Sequence, residues 1–219
     1  MLELGVKILA AYLVGSLMGA LLIGRLRGGV DIRGLGSGNA GGTNALRTQG
    51  RAFAFGVVAI DVGKGLVAVA IAFAPLPPAD PAMPRELVLY ACALAGVVGH
   101  VWPVWHDFRG GKGAATALGV TAVLAPAIVL PLLIVWVAII VLTGYVGLGT
   151  VMTVLSAPLL VALGYPVPDF DFLWFALALA VLITWTHRGN LQRLRAGTEV
   201  RTQRLMLRRR SGATTTDQQ

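Results

Sequence analysis

The chain is poor in charge, thiols and imidazoles. Only 13% of its 219 residues are charged, against 56% hydrophobic, with one cysteine and three histidines. A soluble domain carries roughly 25% charged residues, so this composition, with a mean hydropathy of +0.76, excludes water as the sole solvent. Lipid has to face most of the apolar surface. A single cysteine excludes an intramolecular disulfide framework and a Cys-rich zinc site, and Cys92 reads as a small apolar residue inside a hydrophobic run. Three histidines without a thiol cluster argue against a catalytic metal; His100 and His106, six apart, would face different sides of a helix. Acidic residues number 10 against 18 Lys and Arg, a net charge of +8. Nucleic-acid binding would need that charge on a water-facing surface with aromatics or a reading helix. It flanks apolar segments instead, so no nucleic-acid partner is expected.

Residues 4–24 hold one charge, Lys7, over a length sufficient to cross a hydrocarbon core of about 30 Å. The run is too long for a signal-peptide apolar region, and Arg25 and Arg27 follow it in place of a cleavage pattern, so a retained anchor is expected. Further spans are expected at 53–74, from 85 or 86 to about 101, and at about 170–186. Residues 114–164 are nearly uncharged and divide less readily. They hold three crossings of 17 residues, or one crossing with buried or re-entrant pieces, with Pro126, Pro131 and TGYVGLGT at 143–150 as natural breaks.

Charge sets the direction. Segments 25–51, 104–113 and 187–219 hold five, two and eight Lys or Arg, 15 of the 18, whereas 75–84 and 165–171 hold none. The positive-inside rule puts the first three in the cytoplasm and the last two outside. An odd number of crossings must then join 113 to 165, which makes five or seven in all. The expected fold is all-α, a polytopic helical integral membrane protein of seven transmembrane helices with five as the alternative, N-terminus outside and C-terminus cytoplasmic. Residues 1–201 are expected as one membrane-embedded domain, and 202–219 as a disordered basic tail against anionic headgroups.

Three polar, glycine-rich stretches fall on the expected cytoplasmic side: DIRGLGSGNAGGTNALR (31–47), GHVWPVWHDFRGGKGAAT (99–116) and HRGNLQRLRAGTEVR (187–201). In the first, glycines free the backbone for close approach, Ser37, Asn39, Thr43 and Asn44 add hydroxyls and amides, and Arg33 and Arg47 add charge. Such a loop can aim several N–H groups at an anion; a flexible connector is the plainer alternative. In the second, Arg109, Gly110, Gly111, Lys112 and Gly113 precede an apolar run, so N–H groups and a helix N-terminus can meet a phosphate with Lys112 as a point charge. A Walker A loop is excluded, because His106 stands where its first glycine belongs and Gly113 where Ser or Thr follows the lysine. A smaller phosphate fits; a juxtamembrane basic turn is the alternative. In the third, His187 can take or relay a proton near neutral pH and Arg188 or Arg193 can hold an oxyanion. Alone, that stretch also reads as a basic membrane exit with Asn190 as a helix cap. Asp61 and Lys64, three apart within a span, share a helix face. Ionisable residues there usually face a bundle interior or cavity, which leaves Lys64 either a substrate ligand or Asp61's structural partner.

Taken in order, GSGNAGGTNALR (36–47), GHVWPVWHDFRGGKGAAT (99–116) and HRGNLQRLRAGTE (187–199) resemble the three motifs of the bacterial membrane acyl-phosphate:glycerol-3-phosphate acyltransferases, the PlsY family. The likeness runs from Gly15-Ser16 to Arg201. It implies a seven-span protein of the bacterial inner membrane, with its active site open to the cytoplasm. The implied reaction moves a fatty acyl group from acyl phosphate to the 1-hydroxyl of sn-glycerol 3-phosphate, yielding lysophosphatidic acid and phosphate for phospholipid synthesis. No metal or coenzyme is implied. The implied partners are the two substrates, membrane lipid and the soluble enzyme that supplies acyl phosphate.

By this resemblance Ser37, Gly38, Asn39, Thr43, Asn44 and Arg47 match the first motif, which lines the catalytic centre in that family. Gly110, Gly111, Lys112 and Gly113 match a glycine-rich motif tied to glycerol phosphate. His187, Arg188, Asn190 and Glu199 match the third, Glu199 in a structural role, and Lys64 matches an Asp-x-x-Lys-Gly segment. Ser37, Asn39, His187 and Asn190 are thus the expected catalytic residues. Gly38, Thr43, Asn44, Arg47, Lys64, Gly110, Gly111, Lys112, Gly113 and Arg188 are the expected substrate ligands. None of the histidines has an aspartate five residues on, so the His-x4-Asp pair of acyl-CoA-dependent acyltransferases is absent, in agreement with acyl phosphate as donor. Met18 stands where that family commonly has proline, Gly42 where alanine is usual, and 143–150 carries glycines in place of Arg, Ser and Ala.

Acyl phosphate is a reactive mixed anhydride, so the implied tasks are to hold the hydroxyl near the carbonyl and to stabilise developing charge. Ser37 and Asn39 would orient the donor, and His187 or a substrate phosphate oxygen would take the hydroxyl proton. Direct transfer is expected over an acyl-Ser37 intermediate, since no base adjoins Ser37 in the motif. A small transporter or channel for an anionic metabolite is the alternative from another class, because short, proline-broken spans and an Asp–Lys pair occur there too. It lacks an internal repeat and has its polar motifs on one side. A membrane anchor for a soluble partner would leave the motifs without purpose.

Overall fold

The structure, a computed structural model, describes residues 2–75, 84–169 and 171–202; most of the proline-rich connector, residue 170 and the expected basic tail from 203 onward lie outside the described residues. Among the described residues there are ten α-helices, two 3-10 turns and no strand.

The first apolar run is broken. α1 (Leu2–Gly15) and α2 (Gly19–Leu26) meet at 45°, separated by residues 16–18 between two glycines. A break inside a bilayer frees backbone groups that lipid cannot satisfy. α4 (Arg51–Ala72), reached after the short α3 (Gly42–Gln49), supplies the missing partners. The Gly19 N–H donates to Asp61 Oδ1 at 3.3 Å, and Lys64 Nζ donates to Leu17 O at 2.6 Å. Asp61 and Lys64 pair at 3.0 Å and are 1% and 4% exposed. Lys64, expected either as a substrate ligand or as Asp61's structural partner, is placed with Asp61, and its ammonium completes the helix break.

α5 (Arg85–Val101) ends where Trp102 precedes Pro103, a placement that pushes the backbone out of the helical region. His106 belongs to the 3-10 turn Val104–His106 beyond it, so His100 and His106 do not share a helix as the spacing alone would have them do. α5 crosses α1 where Gly15 meets Gly96 and Gly99 meets the Tyr12 carbonyl; α6 (Ala114–Leu124) crosses α4 where Gly65 meets Gly119. A methyl group at Gly15, Gly65, Gly99 or Gly119 would strike facing backbone, and one at Gly96 would strike the Ala68 side chain of α4. Helices in lipid associate through such close packing, because apolar contact alone gains little over lipid tails.

Residues 114–164 fold as three helices: α6, α7 (Pro126–Thr143) and α8 (Val146–Ala162). The breaks fall before Pro126, where proline suits a first turn, and at Gly144, whose φ of +79° closes α7. Pro131 was also an expected break, yet α7 runs through it. An internal proline forfeits a ladder bond, and a helix of 18 residues retains the rest. α9 (Asp171–Thr186) and α10 (Arg188–Arg195) follow. By length and apolarity α4, α7 and α5 with its following turn can each cross a membrane, as can α1 with α2 and α9 with α10 if each bent pair is one span; α6 and α8 are shorter.

Val97, Val120, Ile128, Phe172, Phe175 and Ile183 form the main core, while Leu130, Ile134, Val137 and Leu142 of α7 stay exposed, as a lipid solvent requires. At one end Lys7 donates to Ala72 O at the close of α4 (2.9 Å), and the Tyr90 hydroxyl donates to Asp169, whose Oδ1 accepts the Phe172 N–H at 2.9 Å. The three glycine-rich stretches gather at the other end.

Candidate active site

One amide shapes the first loop. Asp31 opens it by accepting the Arg33 N–H at 2.9 Å and pairing with the guanidinium at 2.7 Å, which holds its carboxyl below the ordinary value. Arg33 Nη1 also donates to His106 O at 3.2 Å and Arg109 O at 3.3 Å, tying this loop to the second stretch. Asn44, 1% exposed in the first turn of α3, accepts the Ser37 N–H at 2.9 Å and donates to Ile32 O, Leu35 O and Asn39 O at 2.9–3.0 Å. Both Nδ2 hydrogens and Oδ1 are thereby engaged. Asn44, an expected ligand, is placed as the amide that builds the loop. Gly36 and Gly38 take φ of +57° and +72°, and a Cβ on Gly36 would strike the Asn44 amide. Ser37 is left exposed and Asn39 half-buried before the N-terminus of α3, which has no side-chain cap; Thr43 lies in its first turn and Arg47 is exposed one turn on.

The second stretch folds back on α5. The Gly110 N–H donates to Val101 O at 3.3 Å and the Gly111 N–H to His100 O at 3.1 Å. These donors, offered by the sequence to a phosphate, are engaged elsewhere. A Cβ at 110 would meet the His100 carbonyl and Pro103, and one at 111 would meet the His100 ring, so both glycines serve close backbone approach. Half-buried Lys112 and the side-chain-uncapped N-terminus of α6 remain for an anion. Gly113, at φ +86°, fits between Ile183 and Val97, and the Thr186 hydroxyl donates to Lys112 O at 2.9 Å.

The third stretch meets Lys112 directly. Lys112 Nζ donates to Asn190 Oδ1. Asn190 Nδ2 donates to Glu199 Oε1 at 2.6 Å, and Glu199 Oε2 accepts from Arg193 Nε at 2.7 Å. Glu199 thus turns the Asn190 carbonyl toward the lysine. Burial first, then the charge of Arg193, with Arg47 adding and Glu199 opposing, brings the Lys112 ammonium down to about 8. His187 is 5% exposed, just past the end of α9. Its Nδ1 lies 2.8 Å from Ile183 O; a carbonyl only accepts, so Nδ1 carries the proton and Nε2 keeps the lone pair. Burial and then the Lys112 charge push this imidazole down to about 4. The segment after Glu199 closes over the α7–α8 turn, with Arg201 Nε on the Tyr145 hydroxyl and the Thr202 N–H on Gly144 O, both at 2.7 Å.

The structure thus brings Lys112, His187, Asn190 and Glu199 together, with the charge of Arg47 felt at the lysine, and sets Ser37, Gly38, Asn39 and Thr43 at the mouth of α3. Arg188 is placed apart: its guanidinium stacks 3.9 Å over the Trp185 ring and donates to Trp185 O at 3.0 Å on the exposed side of the corner. Its expected ligand role is not supported by this geometry. Two contributors escaped the sequence reading. Gly147 of α8 lies under Asn190, where a Cβ would come within 2.8–2.9 Å of the amide, and His100 lies under Gly111. His100 stood inside a recognised motif; for Gly147 only its place among the glycines of 143–150 gave a signal.

Fold and site together define a multi-pass helical membrane protein that handles an anionic substrate at one end of its bundle. The family model described as glycerol-3-phosphate acyltransferase matches residues 6–197. A glycerol-3-phosphate acyltransferase of Halalkalibacterium halodurans is 39% identical over 90% of this chain and 95% of its own length, and one of Synechococcus sp. is 40% identical over 88% and 90%. Crystal structures of PlsY (YgiH), an integral membrane glycerol 3-phosphate acyltransferase, in glycerol 3-phosphate and lysophosphatidic acid forms, share 36% identity. They superpose with TM-scores of 0.78 and 0.77 over 90% of this chain and 94% of theirs. The chain belongs to the glycerol-3-phosphate acyltransferase family and is an acyltransferase of the membrane.

Proposed function

We propose that the protein transfers a fatty acyl group from acyl phosphate to the 1-hydroxyl of sn-glycerol 3-phosphate, producing lysophosphatidic acid and inorganic phosphate. The observation that carries this reading is the meeting of Lys112, Asn190 and His187 beside an uncapped helix N-terminus, in a protein with little charge elsewhere. Lys112 and the α6 N-terminus would hold the glycerol phosphate, while Ser37, Asn39 and the α3 N-terminus would hold the donor. The glycerol hydroxyl oxygen bonds to the acyl carbon, the bond from that carbon to the phosphate oxygen breaks, and phosphate leaves with the electron pair. An imidazole near 4 is a weak base at neutral pH. A phosphate oxygen, with a second pKa of about 6, is the better proton acceptor, and His187 Nε2 orients the hydroxyl.

The site faces the cytoplasm of a bacterial inner membrane, as the clustering of 15 Lys and Arg supports. Seven passes fit the course of the chain: α6 starts beside Lys112, and α7 ends at Gly144 under Thr202, so the two run in opposite directions. In this reading the N-terminus lies outside and a soluble enzyme delivers acyl phosphate from the cytoplasm. Purified protein in lipid, given both substrates, should release phosphate and form lysophosphatidic acid in equal amounts. No release, or release independent of glycerol 3-phosphate, overturns the reading. An acyl-enzyme formed from donor alone and lost in Ser37→Ala would overturn direct transfer.

A further inference from the structure

The proposed reaction leaves one buried polar cluster unused. Asp61, Lys64 and His100 lie together inside the bundle, with His100 Nδ1 3.5 Å from Asp61 Oδ1. The break between α1 and α2 needs one acceptor for the Gly19 N–H and one donor for Leu17 O, and Asp61 and Lys64 supply both. A third ionisable side chain, 2% exposed, is not required for that purpose. Placing it in a bilayer is unfavourable unless something depends on it.

The other edge of the His100 ring faces the glycine loop. A Cβ on Gly111 would fall 2.9 Å from Cε1 and 3.1 Å from Cδ2, and nearer still to Nε2. The same residue's carbonyl accepts the Gly111 N–H at 3.1 Å, and Gly110 is closed on the adjacent Val101 O at 3.3 Å. Ring and carbonyl of His100 therefore form the floor of the loop, one residue before Lys112. We infer that His100, packed beside Asp61 with its Nδ1 3.5 Å from Oδ1, is a positioning residue for Lys112, setting the place at which its ammonium meets Asn190 and the phosphate of glycerol 3-phosphate. This rests on the reading that Lys112 binds that phosphate.

The test is steady-state kinetics in lipid, varying each substrate in turn. If His100 acts through Lys112, His100→Ala should raise the KM for glycerol 3-phosphate about tenfold and leave kcat and the KM for acyl phosphate within about twofold; combined with Lys112→Ala it should add little further. Gly111→Ala should raise the same KM by driving its methyl into the ring, and adding His100→Ala should relieve much of that defect. Equal disturbance of all parameters in His100→Ala, multiplying effects of His100→Ala and Lys112→Ala, or an unrelieved Gly111→Ala overturns the inference. The His100–Lys112 pair decides the matter even where Gly111→Ala does not fold. If Lys112→Ala alone leaves the KM for glycerol 3-phosphate unchanged, the phosphate role of Lys112 fails and the inference falls with it. If that KM rises but His100 shows no coupling, the inference alone fails.

Discussion

Affinity for glycerol 3-phosphate should fall steeply above pH 8. The Lys112 ammonium is brought down to about 8 by burial and the neighbouring Arg193 and Arg47 charges, so it is charged below that value and neutral above it. A phosphate dianion stabilises the charged form, and above pH 8 the free enzyme must take up a proton to bind. With a pKa of about 8 the charged fraction falls from about 90% at pH 7 to about 10% at pH 9, so 1/KM should drop about tenfold. The ligand does not share this break, because its phosphate is already a dianion well above its second pKa of about 6. The assay is the initial rate of phosphate release between pH 6.5 and 9.5, corrected for spontaneous hydrolysis, with glycerol 3-phosphate varied at saturating donor. Lys112→Arg keeps its charge throughout this range and should lose the break, whatever its absolute affinity; Lys112→Ala should bind weakly at every pH. A wild-type 1/KM that stays level to pH 9.5, or a break that persists in Lys112→Arg, refutes the reasoning.

Four further outcomes are expected. Gly147→Ala forces a methyl against the Asn190 amide, and displacement of that group should lower kcat/KM at least about tenfold while circular dichroism stays unchanged. Asn44→Ala strips partners from the Ser37 N–H and from three carbonyls; thermal unfolding should show a loss of about 3 kcal/mol, with activity falling alongside. Arg188→Ala, on the exposed Trp185 side, should leave both KM values within about twofold, and a tenfold rise would restore it as a ligand. Because His187 stays neutral down to about 4, kcat should show no acid limb from it between pH 5 and 7, and a limb near pH 6.5 that vanishes in His187→Gln would contradict the burial argument.

Much of the fold was readable where one local property decides it. Apolar runs ended by charge, proline or glycine placed spans at 85–101 and 170–186, and α5 and α9 begin and end within a residue of those limits. The break in the first run was not readable, because a helix interrupted in lipid survives only if its freed groups find partners. Those partners, Asp61 and Lys64, lie in α4, beyond α3 and the whole first glycine loop. The same distance hid the meaning of the ion pair: within the sequence it was two charges on one face, and only the position of Leu17 O and Gly19 N–H gives it a task. Pro126 and Pro131 show a local ambiguity of another kind. Both are prolines in an apolar run, and only the one at a first turn coincides with a break.

The site was readable in its charges and less so in its donors. Glycine removes a side chain, and that either exposes an N–H to a ligand or lets it reach another backbone. Composition favours neither outcome. In the loop at 109–113 the carbonyls of His100 and Val101 decide it: Gly110 and Gly111 pair with α5, which leaves Lys112 and the side-chain-uncapped first turn of α6 as the groups proposed for an anion. Asn44 carries the same ambiguity in a side chain, since an amide in a glycine-rich loop can serve a ligand or the loop itself. Its bonds to residues 32, 35, 37 and 39 use that capacity internally. A polar residue in a motif is therefore a candidate ligand only to the extent that its own fold leaves its groups unfilled. By that criterion Ser37, Asn39, Arg47, Lys112 and His187 are the groups proposed to meet substrate, while Asn190 and Glu199 are already engaged in the chain that ends on the lysine and the glycines permit the close approaches between the stretches.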